Sequence, residues 1–172
     1  RALRAALRAG GLDDAFRWVA DGNLHVTLRF LGDVDDADVA AVAHGLETVT
    51  AEARTITLER PGTFPPRGRP RILHVRVSTG IEFLAGLRDR VDRALSPVCR
   101  WEPETRPFAP HLTLARSRDR VEFDPDAFHR ILESTPWSAL EAPVTEVRLF
   151  RSVTHASGPE YSVLARAALG SN

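Results

Sequence analysis

The chain has no lysine. All 23 of its basic residues are arginine, and 23 acidic residues balance them, so the formal net charge is zero. Without a global field, general attraction to nucleic acid or to an anionic membrane is excluded, and any charge argument has to be local. The missing lysine, beside plentiful Ala, Val, Asp and Gly, reads as base composition of a genome before it reads as chemistry. Cys99 is the only cysteine, which rules out an intramolecular disulfide and a cysteine-based metal cluster and fits a reducing cytoplasm. No apolar run approaches the roughly 18 residues of a membrane span, and the opening "RALRAALRAGG" lacks the apolar stretch of a signal peptide. Starting directly in a helical pattern, and not on methionine, it leads us to expect a further segment ahead of it.

What is present suffices for one domain of ordinary size, or for two small lobes sharing a core: 172 residues, 43% of them apolar. The spacing predicts a first helix over "RALRAALRAGG", then a short strand, a turn at "ADGN" and a second strand within "FRWVADGNLHVTLRFLG". A helix follows at "DVDDADVAAVAHGLETVTAE". Its core stripe is Val39, Val42, Leu46 and Val49, and Asp35, Asp36 and Asp38 crowd its first turn. "RTITLERPGTF" reads as a strand, "PPRGRPR" as a loop, and "ILHVRVS" as a strand with Leu73, Val75 and Val77 on one face. "GIEFLAGLRDRVDRALSPV" repeats the helical stripe with Leu84, Leu87, Val91 and Leu95 and is closed by Pro97. The second half runs "RPFAPHLTLARS" (strand), "DPDAFHRILES" (helix), "VTEVRLFRSVT" (strand), "HASGPE" (turn) and "YSVLARAAL" (strand).

The order of the second half echoes the first, and the echo includes chemistry. "LHVTLRF" and "PHLTLAR" share His-x-Thr-Leu, and their histidines, His25 and His111, stand half a chain length apart. One such match arises easily by chance; two, each within a similar run of elements, argue for two related lobes. Residues two apart on a strand point to the same face, so each motif would project an imidazole and a hydroxyl together, His25 with Thr27 and His111 with Thr113. Two opposed imidazoles suit in-line displacement at phosphorus, one taking a proton from the attacking oxygen and the other giving one to the leaving oxygen. Threonine hydroxyls can donate to the non-bridging oxygens.

Two blander readings compete: satisfied strand histidines, which do not predict that threonine accompanies histidine twice, and a zinc site, for which two histidines without a carboxylate or cysteine nearby make a poor ligand set. His44, His129 and His155 read as surface residues. His74 points away from the Leu73, Val75, Val77 face and reads as exposed, bordering a cleft being the alternative. Arg54, Arg60, Arg67, Arg69 and Arg71, against Glu59 alone, make the clearest basic stretch, with Phe64 among them. It reads first as a solvated loop, and second as a contact for a single-stranded nucleic acid end.

With these motifs the chain resembles the 2H phosphoesterases, and among them the LigT-like RNA 2',3'-cyclic phosphodiesterases. "LHVTLRFLG", "RPRILHVRV", "RPFAPHLTLARS" and "LFRSVTHASGPEYSVLA" follow that family's order nearly end to end. The resemblance implies an α+β fold of two pseudo-symmetric lobes, antiparallel sheets lining a central cleft and helices outside. Residues 1–172 would then form one domain whose lobes carry the motifs at Leu24 to Leu28 and at Pro110 to Arg116. It implies that His25 is the proton donor to the leaving O3', that His111 is the base activating water, and that Thr27, Thr113 and Arg116 bind the phosphate. No metal and no cofactor are expected. The expected partners are RNA ends carrying a 2',3'-cyclic phosphate or small cyclic nucleotides, with no membrane, for a cytoplasmic monomer. Ligation of 2'-5' RNA ends, small cyclic nucleotide hydrolysis and, from another class, a non-catalytic binding module stand as alternatives. The family pattern also offers Phe30 as a base-stacking residue, although strict alternation puts both Phe30 and Arg116 on the wrong strand face unless a bulge intervenes. The family usually opens with a β-strand that is missing here, which would expose an edge or weaken one lobe.

Overall fold

The computed structural model describes residues 1–99, 107–155 and 158–170. The architecture is α+β, with helices α1 (Ala2–Ala9), α2 (Val39–Glu47), α3 (Ile81–Leu95) and α4 (Pro125–Ser134). The strands are β1 (Phe16–Trp18), β2 (Arg54–Phe64), β3 (Ile72–Thr79), β4 (His111–Ser117), β5 (Leu140–Val144), β6 (Glu146–His155) and β7 (Gly158–Ala168). Five of them form one sheet in the order β1-β4-β3-β2-β5, and β6 pairs with β7. The chain divides into two compact units. Unit 1 holds Arg1–Val26, Thr57–Ser78 and His111–Leu140; unit 2 holds Thr27–Ile56, Thr79–Pro110 and Glu141–Asn172.

In unit 1, α1 buries Leu3 and Leu7, one helical turn apart, against a core that includes Phe16, Leu73, Ala115, Phe128 and Leu132. α4 begins cleanly because Asp124 caps it, accepting a hydrogen bond from the Asp126 amide at 2.9 Å, and Pro125 occupies the first helical position. β1 is anchored at its end by Asp13, whose carboxylate accepts from Trp18 Nε1 at 2.7 Å and from the guanidinium groups of Arg4 and Arg8. Burial alone would raise the Asp13 pKa; those hydrogen bonds from Arg8, Trp18 and Arg4 outweigh it and hold the carboxyl below its ordinary value.

In unit 2, Val42, Leu46 and Val49 of the α2 region meet Leu87, Val91 and Leu95 of α3 and Val147, Ala165 and Ala167 of the β6-β7 hairpin. The α3 stripe and, apart from the half-buried Val39, the α2 stripe therefore face the core as their spacing predicts. Arg29, four residues after His25, is paired with Asp92 on α3, its Nε at 2.7 Å, which fixes the chain leaving the first motif. Gly80 opens α3 at φ +85°, and a Cβ there would stand 2.7 Å from Ile56 Cγ2.

Several expectations need correction. The second strand expected at 24–30 is reduced to one antiparallel bridge, Val26 to Leu112. Apolar alternation there reports partial burial and not a hydrogen-bonded ladder. α2 begins at Val39, so Asp35 and Asp36 precede it, with Asp36 paired to Arg151. β5 was not anticipated because its sequence, "LEAPV", carries a proline and little β-propensity. His74 is buried, only 2% exposed. The turn expected at "HASGPE" and the His155 side chain fall partly or wholly outside the described residues, as does Arg106 of "RPFAPHLTLARS".

Candidate active site

β4 is the middle of the site, and its register decides which side chains share a face. On β3, His74 stands opposite Thr113 and Arg76 opposite His111, while Leu73 stands opposite Ala115 and Val75 opposite Leu112. One step along β3, from His74 to Leu73, spans two along β4, so Leu114 is an extra residue: a bulge. The bulge resets the alternation. Ala115 turns into the core with Leu73 and Phe16, and Arg116, opposite Ile72, comes back to the face that carries His111 and Thr113. The wrong-face objection to Arg116 is removed by this one inserted residue.

The other flank of β4 is met by β1 and by Val26. β1 aligns Arg17 with Arg116, with Phe16 and Trp18 turned to the core side. After β1 the chain makes a 3-10 turn at Asp21–Asn23 and touches β4 again at the Val26–Leu112 bridge. Antiparallel register then puts His25 level with Thr113 and on the same face. One face of unit 1 is thus ordered in rows about 7 Å apart: Arg17 and Arg116; then His25, Thr113 and His74; then His111 and Arg76. Both motif histidines are half-buried, while Arg116 is exposed.

Two local contacts orient the imidazoles. His25 Nδ1 lies 2.7 Å from the Asn23 carbonyl oxygen. A carbonyl only accepts, so Nδ1 carries the hydrogen and Nε2 is the nitrogen that can exchange a proton. His111 is packed by aromatic rings: Phe64 at 5.3 Å and His74 at 5.4 Å between centroids, both edge-to-face at 79° and 71°. Phe64 and His74 themselves stack, 4.0 Å apart and 10° from parallel. Gly62 lies beside the His74 ring, where a Cβ would come to 3.6 Å from Cε1 and Nε2, an ordinary contact distance. Burial, then the nearby charges of His111 and Arg76, push the His74 pKa down to about 4, so it is neutral at physiological pH.

Of the expected site residues, unit 1 therefore brings together His25, His111, Thr113 and Arg116. Thr27 and Phe30 belong to unit 2, where Thr27 is exposed and Phe30 is 81% exposed. Arg17, His74 and Phe64 join the face as well: bordering a cleft is only the alternative that the sequence offers for His74, Phe64 stands there as part of the basic stretch, and Arg17 has no role in it. For Arg17 a signal existed, since two flanking aromatics bound for the core send the residue between them to the other side.

The basic stretch is mostly committed to its own fold. Arg60 donates to the Glu133 carbonyl oxygen, Arg54 pairs with Glu52, and Arg69 bonds Glu122 at 2.9 Å and the Val121 carbonyl oxygen at 2.8 Å. The solvated-loop reading holds only for the residues between β2 and β3, since Arg54 and Arg60 lie on β2. Among the described residues no group of three or more His, Cys, Asp or Glu is placed to hold a metal ion, and no helix is long and apolar enough to cross a membrane.

The chain is similar to known proteins over most of its length. Residues 2–156 match the family model of the 2'-5' RNA ligase superfamily. The chain is 34% identical over 146 residues to an RNA 2',3'-cyclic phosphodiesterase of Aeropyrum pernix, covering 85% of this chain and 82% of that protein. To the protein of the same name from Aquifex aeolicus it is 28% identical over 157 residues, 90% of this chain and 82% of the relative. The crystal structure of E. coli LigT complexed with 3'-AMP superposes with a TM-score of 0.66 at 27% identity, over 98% of this chain and 92% of that one.

Proposed function

The chain belongs to the 2'-5' RNA ligase superfamily, and on that premise we propose that it is an RNA 2',3'-cyclic phosphodiesterase working by two-histidine acid/base catalysis. The observation that carries the mechanism is the row order on one sheet face: His25 beside Thr113, His111 one row along, and Arg116 with Arg17 one row the other way. A phosphate held by Thr113 in the space between His25, beside it in the row, and His111, one row along, meets both imidazoles and has guanidinium charge within reach of its non-bridging oxygens.

In the reaction, His111 takes a proton from water as its oxygen bonds to phosphorus. The bond from phosphorus to O3' breaks, and His25 gives O3' its proton through Nε2. The product carries a 2'-phosphomonoester and a free 3'-hydroxyl. Thr113 donates to a non-bridging oxygen, and Arg116 stabilises the charge that builds in the pentacoordinate transition state. The corresponding role for Thr27 rests on its place in the first motif, and that of Phe30 on the family pattern alone. Phe64 is the aromatic set against His111, and it is 38% exposed, so it offers a ring edge or face to a base. Phe64→Ala is expected to raise KM for a cyclic nucleotide about fivefold or more, since one base stack contributes about 1–3 kcal/mol, and to lower kcat as well, because the same ring packs against His111. Steady-state kinetics on 2',3'-cyclic AMP checks it, and an unchanged KM rules out stacking on Phe64.

The same groups would run ligation if a 5'-hydroxyl replaced water: its oxygen attacks phosphorus, O3' leaves, and a 2'-5' linkage results. The natural partners in this reading are RNA ends or small cyclic nucleotides, met by a monomer in the cytoplasm. The deciding experiment incubates the protein, in EDTA, with an oligonucleotide ending in a 2',3'-cyclic phosphate and follows phosphorus NMR. A 2'-phosphate is expected. A 3'-phosphate would reverse the roles of the two oxygens, and no hydrolysis would overturn the reading. Adding a 5'-hydroxyl acceptor tests for ligation.

A further inference from the structure

The reaction as derived makes no use of His74, although it is a buried imidazole in the same row as Thr113. Its ring lies flat on Phe64 and meets His111 edge-to-face, while its Nδ1 is buried with no hydrogen-bond partner among the described residues. A buried polar atom left without a partner is costly, so it persists in a fold only when the side chain is held by something else. Here that something is packing: Gly62 beside the ring, Phe64 on its face, His111 at its edge.

We propose that His74 is a positioning residue for His111, acting as an uncharged aromatic wall that, with Phe64, fixes the ring plane of the general base. Edge-to-face packing at this separation restricts rotation of the His111 ring about its last torsion and leaves its proton-accepting nitrogen aimed at the attacking water. The role requires neutrality, because a charge on His74 would face the His111 that has just taken a proton. The ionisable groups around it are His111 on β4, Arg76 on its own strand, and Glu59 on β2, the last paired with Arg76 at 3.4 Å. Burial supplies the neutrality, and the low pKa near 4 agrees with it. An uncharged ring, and no nitrogen, is what the position demands.

The inference rests on the cyclic phosphodiesterase reading, and three variants separate the two. His74→Phe keeps the ring, His74→Leu keeps the volume without it, and His74→Ala removes both. On 2',3'-cyclic AMP, His74→Leu and His74→Ala should lower kcat by about tenfold or more, with KM within about twofold of the parent, as expected when a reacting group loses its alignment. His74→Phe should restore kcat to within about twofold. In the absence of substrate, the ring-current shift of the His111 carbon-bound protons should persist in His74→Phe and shrink in His74→Leu to the part that Phe64 supplies. His74→Phe should also flatten the loss of thermal stability that the parent suffers as pH falls from 6.5 toward 4, where the unfolded His74 takes up a proton that the folded one refuses. If His74→Phe is as slow as His74→Leu, the nitrogen matters and the proposal is wrong; if His74→Leu keeps full kcat, no positioning exists. A parent protein that does not turn over the substrate would instead overturn the phosphodiesterase reading, and with it the catalytic half of this proposal, whatever the ring shifts show.

Discussion

Replacing His111 by alanine lowers kcat for a 2',3'-cyclic phosphate by about 10² to 10⁴, and replacing His25 does the same, because each variant removes one of two proton transfers. KM changes little in either, since Thr113 and Arg116 stay on the face that binds the phosphate. The double variant falls well short of the product of the two losses. Acid and base act in one displacement, and once either is gone the other has little left to assist. Both side chains are half-buried, so circular dichroism of the variants should match the parent, while His111→Ala should also lose about 1 kcal/mol of stability with its contacts to Phe64 and His74. A small cyclic nucleotide suffices as substrate for all of this. Near-parental turnover in either variant excludes acid/base catalysis by the pair.

How much of this site could be read in the sequence depended on what each signal measures. Period-2 and period-3.6 patterns measure which side of an element is dry, and they served well where one side is: β2 has the bounds its residues suggest, and the α3 stripe of Leu84, Leu87, Val91 and Leu95 is buried throughout. They fail where dryness has another source. His74 was expected in solvent because alternation sends it away from Leu73 and Val75, but alternation says nothing about whether Phe64, arriving from the next strand, covers that side. The bulge at Leu114 is equally silent. Its sequence, "HLTLARS", is as regular as any strand, and only the partner register on β3 reveals the extra residue that turns Arg116 to the reactive face. The first motif misled in a third way: "LHVTLRF" has the composition of a strand, yet it pairs with β4 at Val26 alone before the chain passes into unit 2. The repeated His-x-Thr-Leu is a signal of another kind, because a duplication points to chemistry without depending on the secondary structure around it.

The sheet that presents the histidines has its support on the opposite face, and there the largest stability effect is expected at Phe128. Its ring, fully buried on α4, stacks on Phe16 of β1 at 5.0 Å between centroids and tilts against Phe123 at 6.1 Å. The same core contains Leu73 and Ala115, the pair that flanks the β4 bulge on its dry side. Phe128→Ala leaves a cavity bounded by a helix and two hydrogen-bonded strands, which can collapse only slightly, so the cost should approach the usual 3–5 kcal/mol, about 10 °C in melting temperature for a chain of this size. Phe128→Leu fills much of that space and should lose about 1–2 kcal/mol. The catalytic rows lie across the sheet and touch none of these atoms directly. Well below its melting temperature, Phe128→Ala should therefore keep kcat within about threefold of the parent while denaturant melts show the full loss of stability. A loss under about 1 kcal/mol would mean that α4 does not hold the back of this sheet. A large fall in kcat in the folded variant would mean that the bulge, and Arg116 with it, depends on Phe128 for its shape.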